Sequence, residues 1–173
     1  MSNIQASEIK TAVEILEKLE PGVLPFELFH QIARLYVTPI IEIVPLKKHA
    51  SGEITTILLQ RDDDDPVWPG MMHTPGTVVR ASDTEGTFVD AFARILEDEL
   101  RGLEVAQNPQ LVSYEFHQVQ RGRELALVFF VEYVGQPKYG TEVSINELSD
   151  EVIDTQLEFI GKAVDIFKKN IKI

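Results

Sequence analysis

Apolar residues recur at two different periods along this chain, and the change of period marks its elements. From Ser7 onward, Ile9, Ala12, Val13, Leu16 and Leu19 return every three or four residues, the spacing of one helical face. Ser7 is a candidate cap, and Pro21-Gly22 stops the run. Pro25 opens a second helical stretch to Tyr36, with Phe26, Phe29, Ile32, Ala33 and Tyr36 on one side, and Pro39 bars its continuation. Both helices read as packing elements. The pattern then shortens. Ile40-Ile41-Glu42-Ile43-Val44 and Ile54 to Leu59 are β-branched runs that predict strands, with a turn at His49-Ala50-Ser51-Gly52.

Arg61 to Gly86 is polar and rich in Pro and Gly, including the run Asp62 to Asp65 and the segment Trp68-Pro69-Gly70. A loop that long inside a compact domain is usually functional or disordered. A third helix is predicted over Thr87 to Arg101, ended by Gly102. Strands follow at Leu111 to Val119 and Leu125 to Val134, around an Arg121-Gly122-Arg123 turn. The second strand is almost continuously apolar, as expected of a central strand buried on both faces. Ser149 is the expected cap of a last helix, with Asp150 and Glu151 in its first turn and Lys168, Lys169 and Lys172 near its end. Its expected buried stripe is Ile153, Leu157, Ile160, Val164 and Phe167. The order predicts an α/β (α+β) sandwich around a mixed sheet, with residues 1–38 as a helical extension and 39–173 as the main domain.

Composition narrows the function. The 173 residues carry 28 Asp+Glu against 16 Lys+Arg, a net charge of −12. That argues against nucleic-acid binding by phosphate neutralisation and against docking on anionic lipid. The chain has no cysteine, so thiol chemistry, disulfides and Cys-metal sites are excluded. No apolar run reaches the ~18–20 residues of a membrane span. Met1 to Glu8 lacks the basic flank and apolar run of a signal peptide. The expectation is a soluble, cytoplasmic protein. The charge is also localised: Arg61 to Glu104 holds eleven acids and four Lys/Arg, so that about a quarter of the chain carries −7 of the −12.

On a helical wheel, Phe88, Phe92, Leu96 and Leu100 mark the expected core face of the third helix, and Asp90, Arg94 and Glu97 its solvent side. Asp98 and Glu99 flank Ile95 at the border of the two. Glu99 projects close to Phe88 and Phe92, so it must reach solvent, a partner or a metal.

Trp68, then Pro75-Gly76-Thr77-Val78-Val79, Glu85-Gly86 and Ala91 to Leu103 together resemble the Nudix hydrolase family. Its motif is G-x5-E-x7-R-E-U-x-E-E-x-G-U, with U aliphatic. The likeness covers about Pro39 to Lys169. Gly76 matches a motif glycine, Arg94 the motif arginine, Asp98 and Glu99 the paired glutamates, and Gly102-Leu103 the closing Gly-U. Four positions depart. Thr77 stands at the second glycine, Glu85 is one residue out of place, Ile95 replaces the glutamate after the arginine, and Arg101 is an extra residue before Gly102.

The resemblance implies a loop–helix–loop that binds Mg²⁺, or Mn²⁺, at a pyrophosphate. Asp98 and Glu99 would hold the ion, Glu85 would assist in metal binding or water activation, and Arg94 would orient the acids. Glu142 or Glu147 are outside acids able to replace the ligand that Ile95 lacks. The function so implied is metal-dependent cleavage of a nucleoside diphosphate linked to another moiety. The alternative is an inactive relative binding a nucleotide-like ligand or a protein partner, with Ile95 marking a retired metal site. The N-terminal helices either cover the sheet or form a homodimer contact. The Asp62–Asp65 run reads as a solvated loop, and Trp68 as a packing residue before a base-stacking one.

Overall fold

The structure, a computed structural model, describes residues 4–22 and 24–170. Among these residues the chain forms four helices, α1 (Ala6–Leu16), α2 (Phe26–Ala33), α3 (Val89–Asp98) and α4 (Asp154–Asn170). It forms eight strands: β1 (Val37–Lys48), β2 (Ile54–Gln60), β3 (Met72–His73), β4 (Gly76–Val78), β5 (Leu103–Val105), β6 (Gln110–Val119), β7 (Gly122–Gly135) and β8 (Thr141–Ser144). The α+β class expected from the pattern is observed. The long polar stretch carries the two short strands β3 and β4, and β5 and β8 are strands that the apolar pattern missed. Lys172, expected near the end of the last helix, lies outside the described residues.

β1 organises the sheet. It runs parallel to β7 from Val37↔Arg123 to Leu46↔Glu132. On its other side it changes partner: Ile40 to Glu42 pair with β4, and Leu46 to Lys48 pair with β2, both antiparallel. Pro39 and Pro45 are tolerated because of this switch. In a strand, odd positions share one edge, and the N–H of Ile43 reaches Pro75 O on the β4 side at 2.8 Å. The missing N–H of each proline therefore falls on the interrupted edge, and the ladder to β7 is unharmed. β2 and β4 part company beside the middle of β1, and the sheet opens there.

The two faces of the sheet are covered unequally. On one, α4 lays Phe159, Ile160, Ala163, Val164 and Phe167 over Ile40, Val44, Val128 and Phe130. On the other, α3 packs Ala91 and Ile95 against Ile41, Ile43, Val131 and Tyr133. It does not reach β6, where Leu111, Tyr114 and Phe116 stay exposed. So β7 is buried on both faces only near Phe130, Val131 and Tyr133, and its Leu125, Leu127 and Phe129 are half-buried.

Several expectations are corrected. Of the expected core face, Leu100 is buried and Phe92 packs against the core, but Phe88 and Leu96 are exposed, and α3 buries Ala91 and Ile95 instead. The helix is turned so that Ala91 and Ile95 meet the sheet while Val89 and Ala93 face away. α4 starts at Asp154, later than expected; Ser149 Oγ instead accepts the Glu151 N–H in the preceding turn. α4 buries Gln156, Phe159 and Ala163 as well as the expected Ile160, Val164 and Phe167. α1 buries none of its residues: Ile9, Val13 and Leu16 are exposed, contrary to a packing role. Glu8, not Ser7, caps it, accepting the Gln5 N–H at 2.7 Å.

Candidate functional site

Where β2 and β4 part, a polar cavity of about 380 Å³ opens. β1 supplies Glu42, the end of β2 and the following turn supply Gln60, Arg61, Asp62 and Asp65, β3 supplies His73, and β4 supplies Gly76 to Val78. Glu99, just past α3, and Arg121, in the β6–β7 turn, complete the wall.

Glu42 is the buried acid of this cavity. It shares the α4-side face of β1 with Ile40, Val44 and Leu46, at 8% exposure. The fully buried Thr74 donates its hydroxyl to Glu42 Oε2 at 2.8 Å, and the Thr74 N–H reaches Gln156 Oε1 of α4 at 3.3 Å. No cation forms an ion pair with Glu42 among the described residues. Burial pushes its carboxyl up to about 8, against the hydrogen bonds of Thr74 and Gln156, and the charges of Glu99 and Glu124 add to the rise. Glu99 caps the C-terminal end of α3, which turns it out of the helical wheel and into the cavity. Burial raises Glu99 to about 7, opposed by the Gly76 N–H, which donates to its Oε2 at 2.8 Å, and by Arg61.

Gly76 stands between these acids. A Cβ there would lie 2.5–2.9 Å from the Glu42 carboxylate, so only glycine lets β4 pass this close. The sequence motif had marked this glycine, but the acid that demands it is Glu42.

The cavity lining also carries two cations, Arg61 and Arg121, each beside the Trp68 ring. Asp65 accepts the N–H groups of Val67 and Trp68 at 2.9 and 2.8 Å and pairs with Arg61 at 3.2 Å. Asp65 therefore builds the Trp68 turn, while Asp62, Asp63 and Asp64 are exposed, as a solvated loop requires. The Arg61 and Arg121 guanidinium carbons stand 5.5 and 5.4 Å from the Trp68 ring centroid. Arg121 also pairs with Glu124. His73 donates from Nδ1 to Thr74 O at 2.7 Å, and burial, with the charge of Arg61, lowers it to about 4, so it is neutral.

Of the residues singled out in sequence, Glu99 and Gly76 line the cavity. Asp98 and Glu85 are exposed and do not. Arg94 pairs with Asp83 and donates to Val78 O at 3.1 Å, tying the 80–83 turn to β4. Gly102 has φ +93°, and a Cβ there would lie 2.8 Å from Gln136 O, so it serves the turn into β5. Glu147 is exposed, and Glu142 is engaged elsewhere, by Thr55, His49 and Lys47. Ile95 is 1% exposed in the core under α3, on the far face of the sheet from Glu42. Among the described residues no three His, Asp or Glu side chains converge in a metal-holding group. The donor set does not fit the divalent-metal centre that the resemblance implies.

Sequence reasoning missed Glu42, Thr74 and Gln156. A signal existed for Glu42, a lone acid within Ile40 to Val44, since an apolar strand seldom carries a charge without a use for it. Thr74 and Gln156 carried none, because neither has a local partner.

Solved structures share this fold. The Caenorhabditis elegans Ap4A hydrolase is 15% identical, with 76% of this chain and 99% of that one covered and a TM-score of 0.57. The MutT protein of Methanosarcina mazei is 17% identical, over 76% and 97%, at 0.55. The chain has the Nudix fold. The Nudix domain of Shewanella oneidensis NrtR, solved with ADP-ribose, is 13% identical over 90% of this chain and 97% of that one, at 0.55. No family model matches the sequence, and no curated protein matches it. The likeness is thus one of fold, at 13–17% identity. No helix among the described residues is long and apolar enough to cross a membrane.

Proposed function

We propose that this Nudix-fold chain binds a phosphate-bearing, nucleotide-like ligand in the polar cavity without hydrolysing it. The observation that carries this reading is the fate of the motif acids. Ile95 is locked in the core, Asp98 and Glu85 stand outside the cavity, and Glu99 alone faces it. Hydrolysis of a phosphoanhydride needs a convergent carboxylate set to hold the metal that neutralises the phosphates. Binding needs only a polar cavity with fixed donors, which Arg61, Arg121 and Gln60 supply.

The hydrolase reading retains one support. Glu99, held near 7, has the proton affinity of a general base at neutral pH. Titration of ADP-ribose into the protein, with and without Mg²⁺ or Mn²⁺, separates the two while products are followed by chromatography. Saturable heat with no nucleoside monophosphate is expected. Mg²⁺-dependent release of a nucleoside monophosphate that Glu99→Gln abolishes would overturn the binding reading in favour of the hydrolase.

A further inference from the structure

A second, apolar cleft of about 420 Å³ adjoins the polar cavity. Phe29, Ile32 and Tyr36 form its helical side, and Pro39, Val78 and Val79 the sheet side. Val78 lines both spaces, so they meet across the Ile40↔Val78 pairing of β1 with β4. Arg121 joins them from above. Its guanidinium lies 5.9 Å from the Phe29 ring and 5.4 Å from the Trp68 ring, and Arg61 stands on the same indole. Phe29, Arg121, Trp68 and Arg61 are therefore linked by a run of cation–π contacts, with Phe29 lining the apolar cleft and both arginines lining the polar cavity.

The guanidinium groups keep donors to spare. Arg121 contacts Glu124 through Nε, leaving its terminal nitrogens. Arg61 meets Asp65 through Nη1, and its Nε is buried with no hydrogen-bond partner among the described residues. Two forked cations beside one aromatic ring suit an oxyanion with several acceptor atoms. The cleft beside them suits a flat apolar body. Each space falls within the roughly 300–1,000 Å³ of small-molecule sites.

We propose that the ligand site is bipartite: phosphate groups sit at Arg61 and Arg121 in the polar cavity, and an aromatic base sits in the α2 cleft. This rests on the reading that the cavity takes a nucleotide-like ligand. It gives the N-terminal helical segment a role, since Phe29, Ile32 and Tyr36 become base-contacting residues. It also places the charge neutralisation of the phosphates on this chain's own guanidinium groups.

Calorimetry with EDTA present tests it, using ADP, pyrophosphate and an isoprenyl diphosphate as probes. ADP is expected to bind about tenfold more tightly than pyrophosphate, since base–aromatic contact is worth ~1–3 kcal/mol. Phe29→Ala should weaken ADP about fivefold or more and pyrophosphate less than about twofold. Tyr36→Ala should do the same, and at 73% exposure Tyr36 can be truncated without loss of the fold. Arg121→Gln should weaken both ADP and pyrophosphate by about tenfold. ADP binding that neither Phe29→Ala nor Tyr36→Ala alters overturns the bipartite site alone. An isoprenyl diphosphate that binds more tightly than ADP overturns the assignment of the cleft to a base. No saturable binding of any probe overturns both this inference and the ligand-binding reading beneath it.

Discussion

Glu42 and Glu142 are the same residue type on strands of one sheet, each accepting a threonine hydroxyl, yet they are pushed in opposite directions. Burial lifts Glu42 to about 8, and no ion pair among the described residues offsets that. Burial also opposes the charge of Glu142. There the Thr55 hydroxyl at 2.7 Å, Lys47 at 3.4 Å and His49 at 2.8 Å outweigh it and hold the carboxyl below its usual range. Partners therefore decide protonation more than the hydrogen-bonding threonine does. Glu142 is a spent charge that stabilises the β2–β8 edge. Glu42 is a carboxyl without an ionic partner facing a cavity, which is what a binding site requires and a structural ion pair does not.

The sharpest extension of this comparison places a third carboxylate where it has neither cation nor threonine. Ile95→Glu restores the motif acid in sequence but buries it against Ile41, Ile43 and Val131. It should cost more than about 3 kcal/mol in urea unfolding and create no Mg²⁺-dependent turnover. A stable variant with new hydrolytic activity would show that α3 can rotate to present position 95.

Next in size is the pH dependence of Glu42. Its folded value lies above the ordinary 4.5, so the folded state holds a proton that the unfolded chain has lost. Stability from this group is full below about pH 4.5 and is lost as pH rises towards about 8. Glu42→Gln should remove that slope, leaving the variant a few kcal/mol more stable than the parent at pH 8 relative to pH 4. Parallel stability–pH curves for the two proteins would refute an uncharged Glu42.

Gly76→Ala comes third. The new methyl meets the Glu42 carboxylate and should cost about 2 kcal/mol. The loss should shrink in a Glu42→Ala background, where the obstructing carboxylate is gone. Equal losses in both backgrounds would separate Gly76 from Glu42.

The smallest effect is expected at Glu142. Glu142→Gln should cost about 1 kcal/mol at pH 7, because the group is partly exposed and its pairs are screened. Its folded value is lowered, so the sign is opposite to that of Glu42. The cost should fade as pH drops below about 4.5 and the carboxylate protonates. Thermal unfolding at pH 7 and pH 4 checks this.

Periods of apolar residues along the chain were enough to locate the helices and the main strands, because those elements are specified by neighbours three, four or two residues away. The same local logic flagged Glu99 and Gly102, and the resemblance to the Nudix motif flagged Gly76 and marked Ile95 as a departure. It could not tell which way α3 faces the sheet. Phe88 and Leu96 look like core residues in sequence, but Ala91 and Ile95 fit the surface of β1 and β7 that α3 meets.

Nor could it assemble the cavity. Glu42, Thr74 and Gln156 stand 32 and 82 residues apart along the hydrogen bonds that join them. Arg61, Trp68 and Arg121 come together only through the β2 turn and the β6–β7 turn. Sequence by itself determined that this chain makes an α+β sandwich with an acidic segment and a motif-like helix. Only the tertiary structure decided which of those acids share a cavity, because β1 exchanges β4 for β2 beside Glu42, and no local pattern encodes that exchange.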